Sequence, residues 1–271
     1  MPIIHGRGRE LLAEDKKVEI QTMADIQYAQ GGQVAGSADM ATDVGLRNFM
    51  LGVFNKMALG LLLSAGLAYV AGTVPEVTQF VFGTPFRYVV MFGPIGILLV
   101  SAFAMRNPSP LASALIYWSV VSLIGLSLGY WFLAATAGAI GGTVEAGMMT
   151  IVKAFLVTAS AFAALSLWGY TTKRDLSGFG TFLIMGVFGL VIASVVNMFM
   201  KSDMMSFIIS IAGVLIFAGL TAFDTQKLKY TYYQLGGDQR SMAVATNYGA
   251  LSLYLDFVNL FQFIMSIMSR R

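Results

Sequence analysis

The stretch MSFIISIAGVLIFAGLTAFDTQK (205–227) runs from Met205 to Phe223 without a charge and then sets Asp224 inside the apolar run. About 20 mainly apolar residues cross the ~30 Å hydrocarbon core of a bilayer as a helix. A carboxylate within such a segment costs roughly 2.5–3.5 kcal/mol on insertion scales. The next apolar run carries a second one, Asp256 in LSLYLDFVNLF (251–261). Two acids in consecutive spans are expected only where they are used. They make this pair the candidate site.

Working outward, the composition agrees with a membrane chain. Of 271 residues, 57% are hydrophobic and 11% charged, against about 25% charged in a soluble domain. Twelve of the fourteen acids lie at or before Asp43 or near the ends of apolar runs, leaving Asp224 and Asp256 for the interiors. The net charge of +3 is scattered along segment edges and gives no nucleic-acid footprint. No cysteine is present and the only histidine is His5. Disulfides, thiolate metal sites, thiol catalysis and a serine–histidine hydrolase within the membrane are thereby excluded. No Walker, zinc or Rossmann pattern appears, and the last span lacks the mid-helix lysine of a retinal protein. Neither an enzyme nor a bound cofactor is expected.

Seven spans are expected, at about 48–72, 86–105, 110–133, 147–170, 179–200, 205–227 and 246–268. Breakers separate them: GTVPE (72–76), RNPSP (106–110), AGAIGGT (137–143), TTKRDLSG (171–178), KSD (201–203) and the polar KLKYTYYQLGGDQRS (227–241). The fold class is therefore all-α, a multi-pass bundle over 47–271. Residues 1–46 mix acids and bases and then turn small and polar, which reads as a soluble, flexible tail with no cleavable signal peptide. With the amino terminus in the cytoplasm, the inner side takes eleven Lys and Arg, including Arg106, Lys173, Arg174, Lys227 and Lys229, and the outer side four. The positive-inside rule selects that orientation. Gly125 and Gly129 form a GxxxG step that ordinary helix packing explains.

The sixth and seventh spans run antiparallel, so Asp224 and Asp256 can face one another. Both cannot ionise in a low-dielectric site without repulsion; they would share a proton and titrate without any histidine. Thr221 stands three residues before Asp224, and Ser252 and Asn259 flank Asp256 at four before and three after, so each acid has polar neighbours on its own helix face. Two carboxylates also suit Ca²⁺, as a weak and leaky site. Blander readings stand beside these. Lys227 would make Asp224 an interfacial ion-pair member, and Asp256 would serve as a structural hydrogen-bond partner. Lys56 and Lys153 would snorkel or line a polar seam. Arg106, ending the second span, would be a latch on Asp224 or a simple positive-inside anchor. Paired intramembrane aspartates also serve presenilin-type proteases, which expect YD and GxGD contexts. Here the contexts are FDTQ and YLDF.

AGLTAFDTQKLK (218–229) resembles the signature of the Bax inhibitor-1 family, with Phe223 where Tyr usually stands. LSLYLDFVNLF resembles that family's last helix, TTKRDLSGFGTFL (171–183) its link from the fourth helix to the fifth, and AFAMRNPSP (102–110) the end of its second. The resemblance spans about 45–270. It implies a seven-helix bundle with the last helix central, acting as a pH-sensitive calcium leak pathway. In that scheme Asp224 and Asp256 form the pH-sensing pair and Arg106 the latch, while Phe223 removes a hydroxyl from beside Asp224. It implies Ca²⁺, protons and the lipid bilayer as partners. It implies, alternatively, a non-transporting regulator that binds other membrane proteins, including membrane proteases. For a bacterial chain the location would be the inner membrane.

Overall fold

A computed structural model describes residues 43–104 and 107–270. The expected tail therefore lies, up to residue 42, outside the described residues, and so does Arg106. The described chain folds into eight helices: α1 (Val44–Thr73), α2 (Pro75–Gly83), α3 (Phe86–Ala104), α4 (Pro110–Thr136), α5 (Val144–Thr171), α6 (Ser177–Met200), α7 (Asp203–Gln234) and α8 (Gln239–Met268). All but α2 are long and apolar enough to cross a membrane. Each break works through local chemistry. Ser109, Thr143, Ser202 and Asp238 accept hydrogen bonds from backbone N–H groups three residues on, satisfying first-turn donors of α4, α5, α7 and α8.

Two segments depart from the expected pattern. GTVPE does not merely interrupt the chain: Pro75 opens the nine-residue α2 at its first position, where its missing N–H costs nothing. The polar stretch 227–241 is mostly helix, because α7 continues to Gln234 and α8 begins at Gln239. Hydropathy marks where lipid contact ends. The helical backbone continues past that point, since 228–234 holds no Gly or Pro to end it. The reversal is confined to 235–238, where Gly236 and Gly237 take φ of 57° and 85°, a region open to glycine at little cost.

α8 is the central helix. Just over half of its apolar window, 56%, is buried, against 17–39% in the other spans. The Tyr254 hydroxyl lies 2.7 Å from Ser64 Oγ of α1, and Asn247 Nδ2 donates to Ser113 Oγ of α4 at 2.7 Å. Phe257 packs on Phe155 and Phe162 of α5, with ring centroids 5.6 and 5.5 Å away. The GxxxG step lets α1 and α4 meet: a Cβ on Gly125 would fall 2.7 Å from Ser64 Cα. Contacts between α7 and α8 pair Leu228 with Gly249, Asp224 with Ser252, Gly213 with Phe263 and Ser210 with Ser266. The pairs step away from the turn in both directions, the register of an antiparallel hairpin.

Candidate functional site

The face of α7 turned to α8 carries Ser210, Gly213, Phe217, Thr221, Asp224 and Leu228, spaced three and four apart as one helix stripe requires. The answering stripe of α8 holds Gly249, Ser252, Asp256 and Phe263. This register brings the two acids together. Asp224 accepts a hydrogen bond from Ser252 Oγ, and its carboxyl interacts directly with that of Asp256. Asp256 is 5% exposed, and its Oδ2 has no hydrogen-bond partner. Lys227 is close enough to act on Asp224 electrostatically. A carboxyl pair in so dry a setting is tolerated when one proton lies between the two groups.

The supporting polar residues are deployed differently from the same-face expectation. Ser252 shares a face with Asp256 but serves Asp224 across the hairpin. The Thr221 hydroxyl donates to Phe217 O at 2.8 Å, and Asn259 Nδ2 donates to Leu255 O at 2.8 Å. Both are spent on their own helix, as short polar side chains in helices commonly are. Phe223 lies with its ring against Gly180 of α6, so the side chain at this position faces α6 while Asp224 faces α8.

Two cavities flank the acids along α8. One of about 320 Å³ is lined by Asp224, Lys227, Thr231, Tyr248 and Ser252. The other, about 400 Å³, is lined by Asn197, Ser206, Ser210, Asn259, Gln262 and Ser266. Asp256 stands between Ser252 and Asn259, hence between the two. Among the described residues no cluster of three or more His, Asp or Glu assembles, so a cation at this place would have two carboxyl groups to meet.

The two intramembrane lysines divide. Lys153 is exposed on α5. Lys56 is held in a seam between α1, α4 and α8, donating to Asn247 Oδ1, while its carbonyl accepts from the Tyr117 hydroxyl at 2.7 Å. Sequence reasoning missed Asn247, which completes this seam, and Lys229. The latter is 7% exposed and donates to Tyr170 O at the end of α5 at 2.5 Å. Gln226, three residues earlier, accepts from Leu176 N–H at 2.8 Å and donates to Arg174 O at 2.7 Å. The three-residue spacing of Gln226 and Lys229 was a signal, hidden by ending the sixth span at 227.

A family model described as inhibitor of apoptosis-promoting Bax1 matches residues 46–271. The chain belongs to the Bax inhibitor-1 family. It is 53% identical over 241 residues to an uncharacterized protein of Caulobacter vibrioides, covering 86% of this chain and 92% of that one. It is 39% identical over 235 residues to the uncharacterized protein RP147 of Rickettsia prowazekii, covering 87% and 94%. The inner membrane protein YbhL of Escherichia coli is 37% identical over 231 residues, covering 84% and 93%. This family member is an integral, multi-pass membrane protein.

Proposed function

We propose that the protein is a pH-sensitive leak pathway for Ca²⁺, gated by the Asp224–Asp256 pair. The observation that carries the reading is that Asp224 lines one cavity while Asp256, beside it, stands between that cavity and a second one along the same face of α8. With a proton between them, the carboxyls hold α7 and α8 together. When that proton leaves, two like charges face each other at low dielectric and the hairpin is pushed apart. The separated carboxylates then offer hard oxygen ligands that suit Ca²⁺, too few to retain it. Arg106 is the proposed latch on Asp224. The amino-terminal side is assigned to the cytoplasm by the basic-residue asymmetry, and the membrane to the inner membrane by likeness to YbhL.

The other reading is a non-transporting regulator that binds membrane proteins, which the family's description as an inhibitor favours. Ca²⁺ flux into proteoliposomes, followed across pH, separates the two. Flux that depends on pH in the unaltered protein and loses that dependence in Asp224→Asn and Asp256→Asn supports the pathway. Flux with an unchanged pH profile in both variants, or no flux at all, defeats it.

A further inference from the structure

An apolar crevice of about 330 Å³ opens between α1 and α5, in the half of the bundle away from the amino-terminal end of α1. Phe257 and Val258 of α8 form its floor and Trp131 of α4 its back wall. At the mouth, Leu62, Val152 and Leu156 are 70%, 52% and 58% exposed, so the crevice is continuous with the surface that lipid covers. Apart from the indole of Trp131, its one polar lining residue is Ser64, whose hydroxyl is engaged by Val121 O at 3.0 Å and Tyr254 Oη at 2.7 Å. Water finds nothing to bind there. Apolar cavities of ~150 Å³ stay dry and accept hydrocarbon-like guests, and an empty one forfeits dispersion contacts along its whole lining. A cation stands one residue from the mouth, outside the lining itself. Lys153 follows Val152 in the chain and is exposed on α5. It lies nine residues past Val144, a depth of about 14 Å along the helix, from which its ammonium must reach back toward the headgroups.

We propose that this crevice binds one acyl chain of a bilayer phospholipid, whose phosphate meets Lys153. The inference is independent of the ion pathway, since it concerns a different face of α8. It does have a bearing on it. Trp131 also lines the polar cavity that holds Asn197 and Asn259, so a lodged chain buttresses the wall between lipid and that cavity. Phe257 adjoins Asp256 in the chain, which makes the occupied crevice a support for the segment carrying the acid.

Tryptophan quenching by lipid tests this, with flux left out of the readout. Trp118→Phe with Trp168→Phe leaves Trp131 alone as the reporter, and Trp118→Phe with Trp131→Phe leaves Trp168, which is 48% exposed and outside the crevice. The probe is phosphatidylglycerol with brominated acyl chains, diluted into unbrominated phosphatidylcholine vesicles. Trp131 is expected to be quenched at least as strongly as Trp168. Ala65→Phe, which plugs the mouth, removes more than half of the Trp131 quenching and leaves that of Trp168 unchanged. Ala65→Leu, a smaller plug, gives an intermediate loss and guards against misfolding of the larger one. Lys153→Met lowers Trp131 quenching at small fractions of brominated lipid. Weak quenching of Trp131 in every vesicle, as when the crevice is closed or covered by a second copy, overturns the proposal. Quenching that survives both plugs also overturns it. Quenching unchanged by Lys153→Met overturns the phosphate contact.

Discussion

Ser252 of α8 donates its hydroxyl hydrogen bond to Asp224 of α7, one helical turn ahead of Asp256 on its own helix. The hydroxyl thus ties one acid to the helix that carries the other. Ser252→Ala leaves a half-buried carboxyl without that donor, a loss of roughly 0.5–1.5 kcal/mol. It is expected to lower thermal stability in detergent and to shift the pH profile of flux. Thr221→Ala loses only a bond to its own helix and leaves the profile in place. Equal profiles for the two variants would show that the cross-helix bond has no part in the site.

Restoring the family's tyrosine at position 223 should change little. The ring rests on Gly180 of α6, where a Cβ on that glycine would fall 2.3 Å from Phe223 Cε2. Phe223→Tyr therefore keeps the wild-type pH profile of flux. A displaced profile would mean that this position reaches the carboxyl pair after all.

Close packing behind the site is expected to be intolerant of a single methyl. A Cβ on Gly169 of α5 would lie 2.3 Å from Ala222 O, a backbone atom two residues before Asp224. Gly169→Ala should cost about 1–3 kcal/mol through displaced helices, read as a lower thermal midpoint. Gly189, beside which the space is open, is the control: Gly189→Ala should be neutral or mildly stabilising.

Asp238 caps α8, and the Ser241 hydroxyl and backbone N–H beside it hold its carboxyl below the usual carboxylate range. A depressed value in the folded state means stability that is present above the unfolded value, about 3.9, and is lost as pH falls through the folded one. Asp238→Ala should thus lower the thermal midpoint at neutral pH, with the gap closing in strong acid. A gap independent of pH would assign the loss to something other than the charged cap.

Much of the architecture was legible because its causes are local. Apolar length set the seven spans, and the breakers RNPSP, AGAIGGT and KSD fell where three of them begin. Asp224 and Asp256 stood out because a charge in hydrocarbon is costly wherever its helix packs. The remainder was decided by partners distant in the chain. Whether Ser252 answers Asp224 or Asp256 depends on the hairpin register, set by the tight turn at 235–238. Lys229 counted only as one of the inner-side cations until α5 supplied the Tyr170 carbonyl. Lys56 and Lys153 share composition and surroundings in sequence, and only the packing of Asn247 against the first separates them.

The most direct test of the central claim is the infrared band of protonated carboxyl groups in the reconstituted protein, followed as pH is changed. If Asp224 and Asp256 hold one proton between them, the unaltered protein shows one pH-dependent band that is lost or displaced when either acid is replaced with Asn, apart from the bands of the other acids, which are the same in all three proteins. Were Asp224→Asn to leave the Asp256 band titrating as in the unaltered protein, the two acids would be independent and the account contradicted.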